Sequence, residues 1–289
     1  MPAHVSERVH ALLAGEWDPP PLRDATTVVL LRDAGGLETF LMRRVSTMAF
    51  AAGMYVFPGG RIDDADLAAD VEWTSGPLDA ARMTANDALA RGLIVCAVRE
   101  LFEETGVLLA VDDNGELPRE DDAWEADRAA VHASSAALPQ VLARRGLRLD
   151  PGLLPLWTHW VTPEIEARRY DVRFFVASVP EGQHVRDVSG EADEVRWEKP
   201  HAAMAAYGEG QLPMLPPTAA TIADLMNYAT PDSVLAVAEA RDVRPLMPRA
   251  RLDDAGAIVW EIIDVRDGSV VLPLASEPAG SEVHGTGGA

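Results

Sequence analysis

Over residues 93–105 the apolar and charged positions recur with the period of a helix. At about 100° per residue, Ile94, Val95, Val98, Leu101 and Phe102 share one face, while Glu100, Glu103 and Glu104 share the other. Gly106 follows, and a glycine in the left-handed position commonly closes a helix, so the helix is predicted to end at Thr105. Upstream, residues 26–31 and 39–43 are rich in β-branched and apolar side chains and flank the turn cluster 33–36, the pattern of a hairpin. Residues 55–57 form a short apolar run cut off by Pro58, Gly59 and Gly60, a turn that can bring backbone close to a ligand.

The remaining periodicity predicts a short amphipathic helix over 6–14 and a proline-rich linker over 19–21. An alanine-rich segment, 78–89, reads as helix, and 123–145 as one further helix ended by Gly146. Residues 154–160 and 169–179 read as strands, and 197–208 as helix. Two short helices are expected over 217–228 and 233–241, the second capped by Thr230, Pro231 and Asp232. A last hairpin pairs 257–264 with 269–274 around Arg266, Asp267 and Gly268. Beyond 276 the chain is polar and glycine-rich, as disordered tails are.

Like charges three and four residues apart on a helix repel, each pair costing a few tenths of a kcal/mol. A solvated acidic face is the ordinary explanation. A hard divalent cation is the chemical one, because Mg²⁺ takes oxygen ligands and keeps positions for water and phosphate. The run Arg99, Glu100, Leu101, Phe102, Glu103, Glu104, Thr105, Gly106, Val107, preceded by Phe57, Pro58, Gly59 and Gly60, favours the second. Together these residues resemble the signature of the Nudix hydrolases, which reads Gly, five residues, Glu, seven residues, Arg-Glu-apolar-any-Glu-Glu-any-Gly-apolar. Gly60 matches its first glycine, and 99–107 match its second half throughout. Asp66 stands where the family usually has Glu, and 32 residues, 67–98, stand where it has seven. A split box with Asp at that position resembles the subgroup of the peroxisomal coenzyme A diphosphatase of mammals and its bacterial relatives. Gly53, Arg168 to Asp171 before Phe174 and Phe175, and Leu215 to Pro217 extend that likeness. An Arg that a different coenzyme A pattern carries ahead of Phe-Pro-Gly-Gly is replaced here by Ala49.

The resemblance implies an α/β fold, the Nudix α/β/α sandwich with a mixed sheet, an insertion within the box and a C-terminal helical and hairpin extension. The implied division is an N-terminal helix and linker over 1–24, a Nudix domain over 25–210 with its insertion at about 67–92, an extension packed on it over 211–276, and a disordered tail over 277–289. It implies hydrolysis of the diphosphate bond of a nucleoside diphosphate linked to another moiety. Coenzyme A or acyl-coenzyme A is the first candidate; ADP-ribose or NADH, and a regulatory binding module without turnover, are the alternatives. Mg²⁺ or Mn²⁺ is the implied cofactor, held by Glu100, Glu103, Glu104, the carbonyl of Gly59 and a later glutamate, with Arg99 holding the carboxylates and Glu100 as ligand or base. Glu191 is the candidate for the later glutamate, ahead of Asp193 and Glu194. Arg43, Arg44, Arg168 and Arg169 could grip phosphates bidentately, and salt bridges to acidic neighbours explain them as well. The insertion is expected to form a helical flap or an edge of the substrate cleft, with contact in a homodimer as the competing role.

The charge changes the picture by exclusion. With 25 basic against 46 acidic residues the chain carries −21 and no basic run, which disfavours nucleic acid. A small anionic substrate stays compatible, since bound metals reverse the local sign. No apolar run is long enough to span a membrane, no leader is visible at the start, and the end is not a peroxisomal address, so a cytoplasmic enzyme is expected. Cys96, the one cysteine, reads as a small core residue rather than a reactive thiol. His159 reads as a hydrogen-bonded structural histidine, and Trp157 and Trp160 as core rather than base-stacking residues.

Overall fold

Val28, Val29, Leu30 and Leu31 are all completely buried, which a strand achieves only when both faces of its sheet are covered. They lie at the centre of the sheet in a computed structural model that describes residues 3–46, 51–74, 80–134, 136–186, 190 and 192–273. In chain order the elements are α1 (Ala3–Leu13), β1 (Leu22–Asp33), β2 (Leu37–Arg44), β3 (Tyr55–Val56), β4 (Gly59–Arg61), α2 (Asp64–Leu67), α3 (Ala80–Met83) and α4 (Asp87–Thr105). There follow α5 (Trp124–His132), α6 (Leu138–Arg145), β5 (Leu156–Val161), β6 (Arg169–Ser178), β7 (Ala192–Glu198), α7 (Pro200–Gly208), α8 (Pro216–Leu225), α9 (Pro231–Ala238), β8 (Pro245–Leu252), β9 (Ile258–Asp264) and β10 (Val270–Pro273). Glu191, the insertion residues 75–79 and everything from 274, including the expected tail, lie outside the described residues.

Two compact units share the chain. The larger runs from Arg23 to Trp160 and from Tyr170 to Val243; the smaller takes the chain up to Leu22, Val161–Arg169 and the part from Arg244. In the larger unit the strand order is β5-β6-β1-β2-β3, with β4 paired to β1 and β7 to β2. The expected hairpin is present: β1 and β2 pair antiparallel from Leu31↔Thr39 to Asp33↔Leu37, and the Asp33 carboxylate accepts from the N–H groups of Gly35 and Gly36 in the turn. Val28 and Leu30 from β1, Phe40 and Met42 from β2 and Phe175 from β6 pack against Leu93, Ile94, Ala97, Leu101 and Phe102 of α4 in one core.

The helix that carries the acidic face begins at Asp87, six residues before the expected start, because the Asn86 side chain accepts from the N–H groups of Ala88 and Leu89 at 3.0 and 3.2 Å. Gly106 closes it in the left-handed conformation as expected. Asn86→Ala should therefore cost about 1 kcal/mol, read from the urea midpoint with an unchanged slope. The same cap breaks the alanine-rich segment: 78–89 is not one helix, and its described part divides between α3 and the first turn of α4. Residues 123–145 likewise form two helices. Ser134 turns into the left-handed region at φ 53°, and Pro139 in the first turn of α6 restarts the helix. Trp197 belongs to β7 rather than to a helix; it pairs with Phe40 across the ladder, and the helix waits for Pro200 at its first turn.

The insertion is bound to the body of the larger unit. Ala80 and Met83 are buried in the main core with Trp73 packed against it, Leu149 exchanges backbone hydrogen bonds with Glu72 and Thr74, and the Arg82 guanidinium donates to the carbonyls of Ala238, Glu239 and Arg241 at the end of α9. In the smaller unit the predicted C-terminal hairpin is present as β9 and β10. It is joined by β8, which the sequence reading left out because Pro245 and Pro248 interrupt its pattern. Val9 of α1 packs there with Ile165 and Ala250. No helix among the described residues is long and apolar enough to cross a membrane.

Candidate active site

The two halves of the split motif meet through direct contacts. β4 pairs with β1 at Thr27↔Gly59 and Thr26↔Gly60. At Gly59, φ is 152° and a Cβ would stand 2.2 Å from the Thr26 carbonyl oxygen; at Gly60 it would stand 2.2 Å from Glu100 Oε1. Glycine at the first position lets the turn lie on β1, and at the second it lets a carboxylate lie on the turn. The Gly59 N–H donates to Glu104 Oε2 at 2.8 Å.

Arg99 is the hub of the acidic face. Its Nε and Nη2 bind Asp66 bidentately at 2.8 and 2.9 Å, and its Nη1 reaches Glu100 Oε1 at 2.9 Å and Glu103 Oε1 at 3.2 Å. Asp66 is only 3% exposed, and its second oxygen also accepts from the Asp63 N–H at 2.9 Å. One guanidinium thus faces three carboxylates from two separate segments. Burial pushes the Glu100 carboxyl up to about 7, the charges of Glu103 and Asp66 adding to it and Arg99 opposing it. The sign for stability follows: the folded chain holds this proton more tightly than the unfolded chain, so the stabilisation is full below about 4.5 and is lost as pH rises through about 7. Melting of the metal-free protein between pH 5 and 8 should fall more steeply for wild type than for Glu100→Gln; parallel curves would refute this.

Glu103 is held from a third side. The Arg128 Nη1 donates to its backbone carbonyl at 2.9 Å, and His132 Nδ1 stands 3.7 Å from its Oε2. Glu191 lies outside the described residues, while its rivals Asp193 and Glu194 are on β7, where they pair with Arg43 at 2.6 and 3.1 Å. Arg43 is thereby engaged by acidic neighbours. Arg44, half-buried, keeps an Nε without a hydrogen-bond partner. Arg168 and Arg169 fall in the smaller unit, where Arg169 donates to the carbonyls of Thr162 and Pro20. Among the described residues no three His, Cys, Asp or Glu side chains converge as a ready metal cage, and Arg99 sits at the centre of the acidic group.

Behind the motif, Cys96 accepts from Thr26 Oγ1 at 3.3 Å, and burial pushes its thiol well above the ordinary range, which suits a packing residue. His159 Nε2 is hydrogen-bonded to Asp171, and Trp157 is fully buried, with Tyr228 edge-on at 5.5 Å. The parts the sequence reading missed are the grip of Asp66 on Arg99 and the approach of Arg128 and His132 to Glu103. The last two are four residues apart on α5, but only the packing of α5 on α4 shows what that face meets.

The model of the NUDT19 Nudix domain matches residues 76–225, more than half of the chain. The chain belongs to this family. Among relatives of the NUDT19 domain, the acyl-coenzyme A diphosphatase NUDT19 of Xenopus laevis is 25% identical over 236 residues, 66% of this chain and 60% of that protein. The acyl-coenzyme A diphosphatase NUDT19 of Homo sapiens is 27% identical over 259 residues, 76% of this chain and 68% of that protein. The chain thus spans about three fifths of the length of the first relative. A crystal structure of a NUDIX hydrolase from Alicyclobacillus acidocaldarius superposes with a TM-score of 0.65 at 29% identity, over 75% of this chain and 96% of that one. The fold is the Nudix α/β fold, a mixed sheet between helices, with helical and strand additions at the C-terminal end.

Proposed function

We propose that this member of the NUDT19 Nudix family hydrolyses the diphosphate bond of coenzyme A or acyl-coenzyme A. The observation that carries the reading is the contact between the two halves of the split box: Gly59 and Gly60 lie directly on Glu104 and Glu100. A 25-residue excess of intervening chain loops out and returns, which costs little because closure entropy grows by only about 0.6 kcal/mol per doubling of length. The names of the Xenopus and human relatives support the substrate class.

The donor chemistry fits Mg²⁺ or Mn²⁺. The groups on offer are all oxygen, and the three carboxylates of Asp66, Glu100 and Glu103 face the single guanidinium of Arg99, an excess of negative charge that a hard cation would offset. Glu100, Glu103, Glu104 and the Gly59 carbonyl would hold it, with Glu191 as the candidate for the later glutamate. When bound, such an ion polarises phosphoryl oxygens, lowers the pKa of a bound water and neutralises developing charge. Arg99 keeps the carboxylates oriented. Glu100 serves as ligand or as the group that takes a proton from the attacking water. Water adds to one phosphorus, the bridging P–O bond breaks, and two phosphomonoesters leave. A panel of coenzyme A, acyl-coenzyme A, ADP-ribose, NADH and nucleotide sugars with Mg²⁺ or Mn²⁺ tests this. Coenzyme A species should give two phosphomonoesters; cleavage confined to ADP-ribose or NADH would replace the substrate, and no cleavage of any would leave a binding module.

A further inference from the structure

We propose that α5 is a positioning arm for Glu103 and that His132 is the side chain on it that orients the Glu103 carboxylate. The inference rests on the reading that Glu103 holds a metal. Three contacts fix α5 against the end of α4. Trp124 meets the ring of Phe102 edge-on at 5.7 Å, its Nε1 donates to the Gly106 carbonyl at 2.8 Å, and Arg128, only 5% exposed, donates to the Glu103 carbonyl at 2.9 Å. Arg128 is itself locked, its Nε and Nη2 being spent on Glu125. His132 lies one turn further on, and residues four apart on a helix share a face. The same face of α5 therefore meets Glu103 twice, Arg128 at its backbone and His132 at its side chain.

The carboxylate is addressed at both oxygens. Oε1 takes Arg99 Nη1 at 3.2 Å, and Oε2 faces His132 Nδ1 at 3.7 Å, within ion-pair range though longer than a hydrogen bond. The neutral ring protonated at Nδ1 and the imidazolium both donate at that atom. With one oxygen fixed, a carboxylate still turns about its terminal bond; with both fixed, its lone pairs keep one direction. Partners of this kind typically change metal affinity by tenfold to a hundredfold. His132 is 38% exposed, so its truncation opens no core cavity, which separates it from Arg128 as a test site.

The experiment is Mn²⁺ binding to the full chain without substrate, followed by titration calorimetry or by the resonance of free Mn²⁺, with metal-free melting as the check on folding. His132→Ala should bind Mn²⁺ about tenfold more weakly with unchanged metal-free melting. His132→Asn, whose amide N–H can take the place of Nδ1–H, should retain most of the affinity. Glu103→Gln should lose more than either. Wild-type affinity in His132→Ala beside a loss in Glu103→Gln overturns the role of His132 alone, as does a His132→Asn no better than the alanine variant. Undiminished affinity in Glu103→Gln overturns the metal reading itself, and the arm with it.

Discussion

Glu103→Gln is expected to yield a folded protein whose turnover has fallen by about a hundredfold to ten-thousandfold. The amide keeps the size of the carboxylate and an oxygen for Arg99 Nη1, so the packing at this 14% exposed side chain persists. What disappears is a negative charge next to those of Glu100 and Asp66, and relieving that repulsion should leave metal-free stability unchanged or higher by a few tenths of a kcal/mol. The loss falls on the reaction, because metal-assisted charge stabilisation supplies several kcal/mol and each 1.36 kcal/mol is tenfold in rate. The measurement is kcat at saturating Mn²⁺ with the melting curve beside it. A Glu103→Gln, Glu104→Gln double variant that melts normally and turns over at the wild-type rate would sink the assignment of the acidic face.

What the sequence shows of this site is its local half. The spacing of Glu100, Glu103 and Glu104 is a property of one helix, and the turn at Phe57, Pro58, Gly59 and Gly60 is a property of four residues, so both are visible in the pattern. The bond from Gly59 N–H to Glu104 joins positions 45 residues apart, and that from Arg99 to Asp66 joins positions 33 apart. No periodicity encodes them; the match to the split box is what brought these pieces together. His132 is further out of reach, since it depends on α5 packing against the end of α4.

The misread elements have the same origin. The alternation of Val195 and Trp197 with Glu194, Arg196 and Glu198 is a strand signal, yet Trp197 next to the helix-forming 200–208 reads as helix until β2 supplies a ladder. Asn86 before Asp87 is a local cap signal that an alanine-rich neighbourhood hides. Pro245 and Pro248 hide β8 in the same way, although the ladder to β9 runs through all seven residues from Leu246 to Leu252. Of the arginines, Arg43 pairs with Asp193 and Glu194, and Arg169 donates to backbone carbonyls, contacts between residues far apart in sequence that no local pattern encodes.

Arg99→Ala should destabilise the fold far more than an ordinary ion-pair deletion. An exposed pair contributes about 0 to 1 kcal/mol, but the Arg99 side chain is 15% exposed and faces Asp66, Glu100 and Glu103, all more buried than half. Removing one partner of a buried pair typically costs about 3–5 kcal/mol, because the other charge stays behind without compensation; here three stay behind. Against a usual total of about 5–15 kcal/mol, that loss should bring the urea midpoint down sharply in metal-free buffer. Arg99→Lys should recover only part of it, since one ammonium cannot hold Asp66 at two oxygens and still reach Glu100 and Glu103. A double variant, Arg99→Ala with Asp66→Asn, should be more stable than Arg99→Ala alone, which is the sign that an unpaired Asp66 carries the penalty. Mn²⁺ should raise the melting temperature of Arg99→Ala more than that of wild type, because in the variant the ion replaces the missing positive charge as well as binding. A loss of less than about 1 kcal/mol in Arg99→Ala would place this cluster with exposed surface pairs and remove Arg99 as the hub of the site.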